Sequence, residues 1–379
     1  HDRIMSMDRR SLFRTAAASG LLGIAATAAR GATETTPLVT GPQGPLPPLP
    51  QLTDHGEMRG EMLYRKLGWT GENVSAIGFG GSHFSKPGID QATSIRLCHA
   101  ALDRGMNFMD NAWDYNKGES EMRMGMALSQ SGYRNRAFLM TKVDGRNKDI
   151  AQTQLDQSLS RLRTDHVDLW MFHEVLRYDD PDRIFAAGGA LETAVAARKA
   201  GKIRYIGFTG HKDPRIHIYM MEVARAHGFQ FDVVLMPSNV MDAHFRSFGR
   251  LAMPVALRER IGVITMKAFG GSNGVILKSG AAIQPIDCLH YALNRPTSVV
   301  ITGIDNDHVL DQAFEAAKSF RPMSPAEEAR ITNATVAEAR NGEFELFKTT
   351  AHFDGTARNP DWLGPDRDST LALAPKNGG

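Results

Sequence analysis

The chain has 379 residues, 42% of them hydrophobic and 23% charged, with a net charge of +2. That composition fits a globular protein with room for one large domain or two medium ones, and the near-neutral balance points away from a nucleic-acid partner. Its two cysteines, Cys98 and Cys288, have no metal-type spacing and read as buried free thiols.

At the N-terminus, M-D-R-R-S-L-F-R carries Arg9 and Arg10. A weakly apolar run rich in Ala and Gly extends from Thr15 to Ala29, then small residues suited to cleavage between Ala28 and Ala32. A charged head, a short apolar middle and a small-residue exit describe an export signal. A membrane span would need about 20 strongly apolar residues. The paired arginines and mild hydrophobicity over residues 1–32 resemble a twin-arginine (Tat) signal peptide, which implies the Tat export machinery as a partner and a periplasmic destination. Residues 1–32 hold five Arg and two Asp, so the remainder carries about −1 and the basic balance belongs to the signal. Residues 33–61, with the run G-P-L-P-P-L-P, read as an extended linker.

L-Y-R-K-L-G-W-T-G-E-N-V-S, with two turn glycines, predicts a hairpin that plugs the floor of the main domain. From Val74 onward eight short apolar runs recur, at 74–81, 106–112, 137–143, 167–175, 203–210, 231–237, 262–269 and 298–304. Each is continuously apolar, as a strand buried on both faces is. Helical segments lie between them, such as 91–104, 150–162, 190–200 and 215–227, and Gly105, Gly201 and Gly228 supply left-handed stops. Strands alternating with helices about every 30 residues predict an α/β fold, a (β/α)8 TIM barrel. The alternative, an open doubly wound sheet, normally shows G-x-G-x-x-G after its first strand, and G-F-G-G-S-H lacks that spacing. After the barrel, Ser324-Pro-Ala-Glu327 is a capping box that opens a C-terminal helix ending near Asn341-Gly342. Residues 343–379 read as a tail that wraps the barrel or stays disordered. The barrel with its C-terminal helix is thus expected to span 62–342.

Barrels of this type place chemistry at the carboxyl ends of their strands. Those ends carry Gly80-Gly81-Ser82, Asp110, Lys142, His173, Thr209-Gly210, Asn239, Lys267 and Gly303. Asp110, Lys142 and His173 close consecutive strands, and Tyr115 lies in the loop after the second. A phenol titrates near 10, and a neighbouring ammonium favours the phenolate and lowers that value. Asp110 supplies the countercharge an inward lysine needs, and His173 can donate to a carbonyl oxygen. One such residue alone is more often structural; four on neighbouring strands make a proton donor beside an oriented electrophile. His83, His173, His211 and His244 show no i, i+4 ligand pair, so no metal is expected.

F-M-D-N-A-W-D-Y-N-K-G-E-S-E, with M-T-K closing at Lys142 and M-F-H at His173, resembles the aldo-keto reductase motif, and the likeness runs from about Leu63 to Phe320. The resemblance implies hydride transfer between NADP(H) or NAD(H) and a carbonyl or alcohol carbon. It makes Tyr115 the general acid or base, tuned by Lys142 and Asp110, with His173 orienting the carbonyl. It puts the cofactor against Gly80, Gly81, Ser82, Thr209, Gly210, Met266, Lys267 and Gly303, with Asp311 and Gln312 at the adenosine end. The chain departs from the family pattern at Thr209-Gly210, where Ser-Asn is usual, at Leu235 for a glutamine, and at Met266 for the stacking aromatic. After the last strand, T-G-I-D-N-D-H-V-L-D-Q offers Asp305 and Asp307 but neither Lys nor Arg, which predicts a weakened or reversed NADP(H) preference. Substrate walls are expected from His83, Phe84, Trp113, Tyr178 and Phe269. The alternative reading is a regulatory cofactor-binding barrel without useful turnover.

Overall fold

A computed structural model describes residues 46–365; the expected export signal, residues 33–45 of the expected linker and residues 366–379 of the expected tail lie outside them. Three short antiparallel strands come first: β1 (Glu57–Arg59), β2 (Met62–Lys66) and β3 (Asn73–Ser75). Eight parallel strands then close a barrel in chain order: β4 (Ile77–Gly80), β5 (Phe108–Met109), β6 (Phe138–Val143), β7 (Val167–Phe172), β8 (Ile203–Thr209), β9 (Val233–Pro237), β10 (Gly262–Met266) and β11 (Val299–Gly303). Each matches one of the eight predicted runs. β1 falls inside the stretch that reads as linker, because Glu57–Arg59 pairs with Met62–Tyr64. Gly105, Gly201 and Gly228 all adopt positive φ just past their helices, and Ser324 and Glu327 cap each other across Pro325–Ala339 as their spacing predicts.

The hairpin forms the floor. Leu67 and Val74 pack into the barrel interior with Phe108, Phe138, Val233 and Val299. Arg65 Nη1 donates to Thr297 O at 2.9 Å and Ser298 Oγ to Lys66 O at 2.7 Å. Gly68 is required here: at φ +53° any Cβ would lie 2.4 Å from Gly262 N at the start of β10.

Strand parity decides what reaches the mouth. Inward residues along β6 are Phe138, Met140 and then Lys142, and along β7 they are Leu169, Met171 and then His173. The intervening Leu139, Val143, Trp170 and Phe172 join the larger core between barrel and helices. The two-residue period of β6 and β7 thus lifts one polar side chain from each above an apolar interior.

Past Gly342 the chain returns across the mouth as a strap of two single-turn helices, Leu346–Thr349 and Gly355–Arg358, and a 3₁₀ turn, Pro360–Leu363. The buried Lys348 ammonium anchors it, 2.8 Å from Asp242 Oδ1 and 2.9 Å from Glu345 Oε1. Glu174 holds the middle: Oε1 accepts from Gly355 N at 2.9 Å and Oε2 from Thr356 N at 2.7 Å. Gln154 Nε2 holds the end, donating to Trp362 O at 3.0 Å. Among the described residues no helix is long and apolar enough to cross a membrane.

Candidate active site

A cavity of 790 Å³ opens at the mouth, lined by strand ends and by strap residues including His352, Phe353 and Arg358. At its base Lys142 Nζ donates to Asp110 Oδ1 at 2.5 Å, to Asn111 O at 2.7 Å and to Tyr115 Oη at 3.0 Å. The His173 ring stands edge-on to the phenol, with centroids 5.7 Å apart. The four residues expected from the sequence therefore meet.

Tyr115 is placed by a turn in which Asn116 and Lys117 take left-handed φ of 50° and 58°. Asn116 Nδ2 pins the turn, donating to Ser82 O, Ser85 Oγ and Ser120 Oγ at 2.9–3.0 Å. The adjoining G-E-S-E is support for this turn: a Cβ on Gly118 would lie 2.6 Å from Arg161 Cζ, and buried Glu121 binds Thr141 and Arg161.

Electrostatics correct one expectation. Burial and then the carboxylates of Asp110, Asp114, Glu174 and Asp144 hold the Tyr115 phenol well above its ordinary value. This outweighs the lowering expected from Lys142, so the phenol stands protonated. His173 is clamped, its Nδ1 lying 3.0 Å from Asp144 Oδ1 and 3.2 Å from Asp114 Oδ1. Burial lowers its affinity for a proton, but the two carboxylates win and raise it to about 10. Asp114, Asp144 and His173 bring ligand-type atoms within 4.8 Å of one another, a grouping their spacing hides. Both carboxylates flank one ring nitrogen: Asp144 Oδ1 hydrogen-bonds Nδ1, and Asp114 Oδ1 lies beside it as a second negative charge with no hydrogen-bond partner among the described residues.

Of the expected cofactor residues, Gly80, Ser82, Thr209, Met266, Lys267, Gly303 and Gln312 line the cavity. Gly81, Gly210 and Asp311 do not. Gly81 and Gly210 come directly after inward residues and so face outward, where a Cβ would lie 2.2 Å from Asp110 O or 2.3 Å from Val175 O. They are close-packing glycines. Asp311 points from its helix to Arg104 Nη1 at 2.7 Å. His83 and Phe269 line the cavity as expected. Phe84 is instead buried against Phe79, Trp113 donates to Gln157 and packs edge-on against Trp362, and Tyr178 is exposed beside Tyr219.

One observation fits a nicotinamide dinucleotide. Thr209 Oγ1 is buried at the end of β8 with no hydrogen-bond partner among the described residues, placed for a carboxamide. Gly80 and Gly303 pair across β4 and β11, and both are close-packing positions: a Cβ would lie 2.6 Å from Thr302 O on Gly80 and 2.4 Å from His83 Nδ1 on Gly303. The acidic turn after β11 is not bare, as its sequence implies. Lys86 pairs with Asp305, and Arg96 grips Asp307 through two bonds of 2.6 and 2.9 Å.

Comparison with known proteins agrees with this architecture. The model of the aldo/keto reductase family matches residues 76–284. The uncharacterized oxidoreductase YrpG of Bacillus subtilis is 34% identical over 247 residues, 59% of this chain and 72% of that protein. The aldo-keto reductase YhdN of Bacillus subtilis is 33% identical over 161 residues, 38% of this chain and 46% of that protein. The 6-dehydroglucose reductase of Novosphingobium aromaticivorans is 31% identical over 167 residues, 40% and 53%. In the last two cases the match spans about half of the relative. Among solved structures, the holo form of aldo-keto reductase AKR11C1 from Bacillus halodurans superposes with a TM-score of 0.59 at 21% identity, covering 72% of this chain and 96% of that one.

Proposed function

This chain belongs to the aldo-keto reductase family, and on that footing we propose that it transfers a hydride between NADP(H) or NAD(H) and the carbon of a carbonyl or alcohol substrate. The observation that carries this reading is the unbroken chain Tyr115–Lys142–Asp110, at 3.0 and 2.5 Å, facing the cavity beside His173. In the reducing direction the substrate oxygen accepts the Tyr115 proton. His173, held by its two carboxylates, turns its other ring nitrogen toward that oxygen and steadies the charge that develops there. Lys142 stabilises the phenolate left behind, and Asp110 fixes the ammonium. Thr209 would hold the nicotinamide carboxamide, Met266 would lie against the ring, and Ser82, Gly303 and Gln312 would line the rest of the dinucleotide.

Relatives named 6-dehydroglucose reductase and L-galactose dehydrogenase support an oxidised or reduced sugar as the substrate class. Export by the Tat route to the periplasm is proposed on Arg9, Arg10 and the Ala-rich stretch after them. The test of the chemistry is Tyr115→Phe. It should lower carbonyl reduction by about a hundredfold or more while sparing dinucleotide affinity, the effect of losing a general acid. Turnover within about tenfold of wild type would remove Tyr115 from that role.

A further inference from the structure

Lys267 comes directly after the last residue of β10. Met266 faces inward, so strand parity would send Lys267 outward, but its φ of +60° breaks the register and it lines the cavity instead. A non-glycine residue in that region is disfavoured and is held there by its surroundings.

The cavity-lining carboxylates already have partners. Asp110 has Lys142, Asp114 has His173, Glu174 has the Gly355 and Thr356 amides, and Asp305 has Lys86. The Lys267 ammonium has none: among the described residues it makes neither an ion pair nor a hydrogen bond. It rests against two strap rings, 5.5 Å from the centroid of Phe347 and 5.1 Å from that of Phe353. Such a cage steadies a cation by ring attraction and leaves its three N–H donors unused. A side chain kept only for packing would be cheaper without its charge.

We propose that Lys267 is an oxyanion-binding point in the catalytic cavity, and that the substrate is a carbonyl or alcohol compound bearing a carboxylate, such as an oxo acid or a sugar acid. This rests on the hydride-transfer reading for its substrate and on Lys267 alone for its anion. An incoming carboxylate takes up the unused donors, and charge-assisted bonds of this kind are the strong ones. Burial brings the ammonium down to about 8, with Lys142 pushing the same way and Glu174, Asp354 and Asp110 opposing. The preference for an acidic substrate is therefore full below that pH and fades above it.

The experiment uses the full chain with succinate semialdehyde and butanal, compared as a ratio of kcat/KM so that effects common to both cancel. Wild type should favour the acid. Lys267→Met should lower the ratio by about 10- to 100-fold, and Lys267→Arg should keep it within a few-fold. Raising the pH from 7 to 9 should lower the wild-type ratio and leave that of Lys267→Met flat. An unchanged ratio in Lys267→Met overturns the assignment. So does a ratio unchanged beside a matching loss of NADPH and NADH affinity, which would give the anion to the dinucleotide pyrophosphate. Calorimetric titration of the dinucleotide-loaded chain with D-glucuronate and D-glucose reads the same preference without turnover. Failure to reduce any carbonyl would then sink the hydride-transfer reading, while glucuronate binding that depends on Lys267 would still support the anion point and equal binding of the two sugars would refute it.

Discussion

Replacing Glu174 tests how the strap is held. Its carboxylate is 5% exposed and takes two strap amides, Gly355 N and Thr356 N, at 2.9 and 2.7 Å. Glu174→Ala leaves both donors without an acceptor, at about 1–3 kcal/mol each, and water entering the gap brings the total toward about 3 kcal/mol. Glu174 also sits at φ +47°, where a side chain costs about 1–2 kcal/mol that glycine avoids. Glycine in turn loosens the unfolded chain by roughly 0.4–1 kcal/mol. Glu174→Gly should therefore be less damaging than Glu174→Ala by up to about 1.6 kcal/mol, although it removes the same carboxylate. Urea unfolding gives the two differences, and hydrogen exchange at Gly355 and Thr356 reports the strap directly. An alanine variant within about 1 kcal/mol of wild type, with both amides still protected, would refute the clasp. A glycine variant worse than alanine would refute the backbone argument.

Dinucleotide choice should turn on Asp305. Cofactor-free protein is expected to bind NADPH and NADH within about a hundredfold of each other. Asp305→Asn, by releasing Lys86, should move the ratio about tenfold toward NADPH, and fluorescence titration that finds no movement would place the 2′-phosphate contact elsewhere. For export, Arg9→Lys combined with Arg10→Lys should leave the protein inside the cell, as fractionation and immunoblotting would report. Normal appearance of the double variant in the periplasm would exclude the twin-arginine route.

The barrel was legible because its strands are buried on both faces, and continuous apolar runs such as V-D-L-W-M-F carry that fact without context. Asp110, Lys142 and His173 were legible for a related reason: a polar residue at an inward position at the end of such a run has only the mouth to go to. Parity, applied more strictly, would also have set aside Gly81 and Gly210, each one position past an inward residue. The clamp on His173 was hidden because Asp144 and Asp114 come from separate loops, and nothing in D-N-A-W-D-Y marks the second aspartate for a histidine two strands later. The strap was illegible for another reason. Its central tie uses the main-chain amides of Gly355 and Thr356, which leave no side-chain signature. The pairing of Asp305 and Asp307 with Lys86 and Arg96 has no local signature either, because the cations arrive from the opposite end of the barrel sequence.

Glu174 and the strap also fix an order of events in synthesis. The bonds that close the mouth join residues far apart in the chain: His211 to Asp354 spans 143 positions, Glu174 to Gly355 spans 181, and Gln154 to Trp362 spans 208. The ribosome completes every barrel strand before it delivers Phe353 or Gly355, and domains assemble as their sequence emerges. The last wall of the cavity is therefore the last part of it to be made, after every strand that carries Asp110, Lys142, His173 or Thr209 to the mouth.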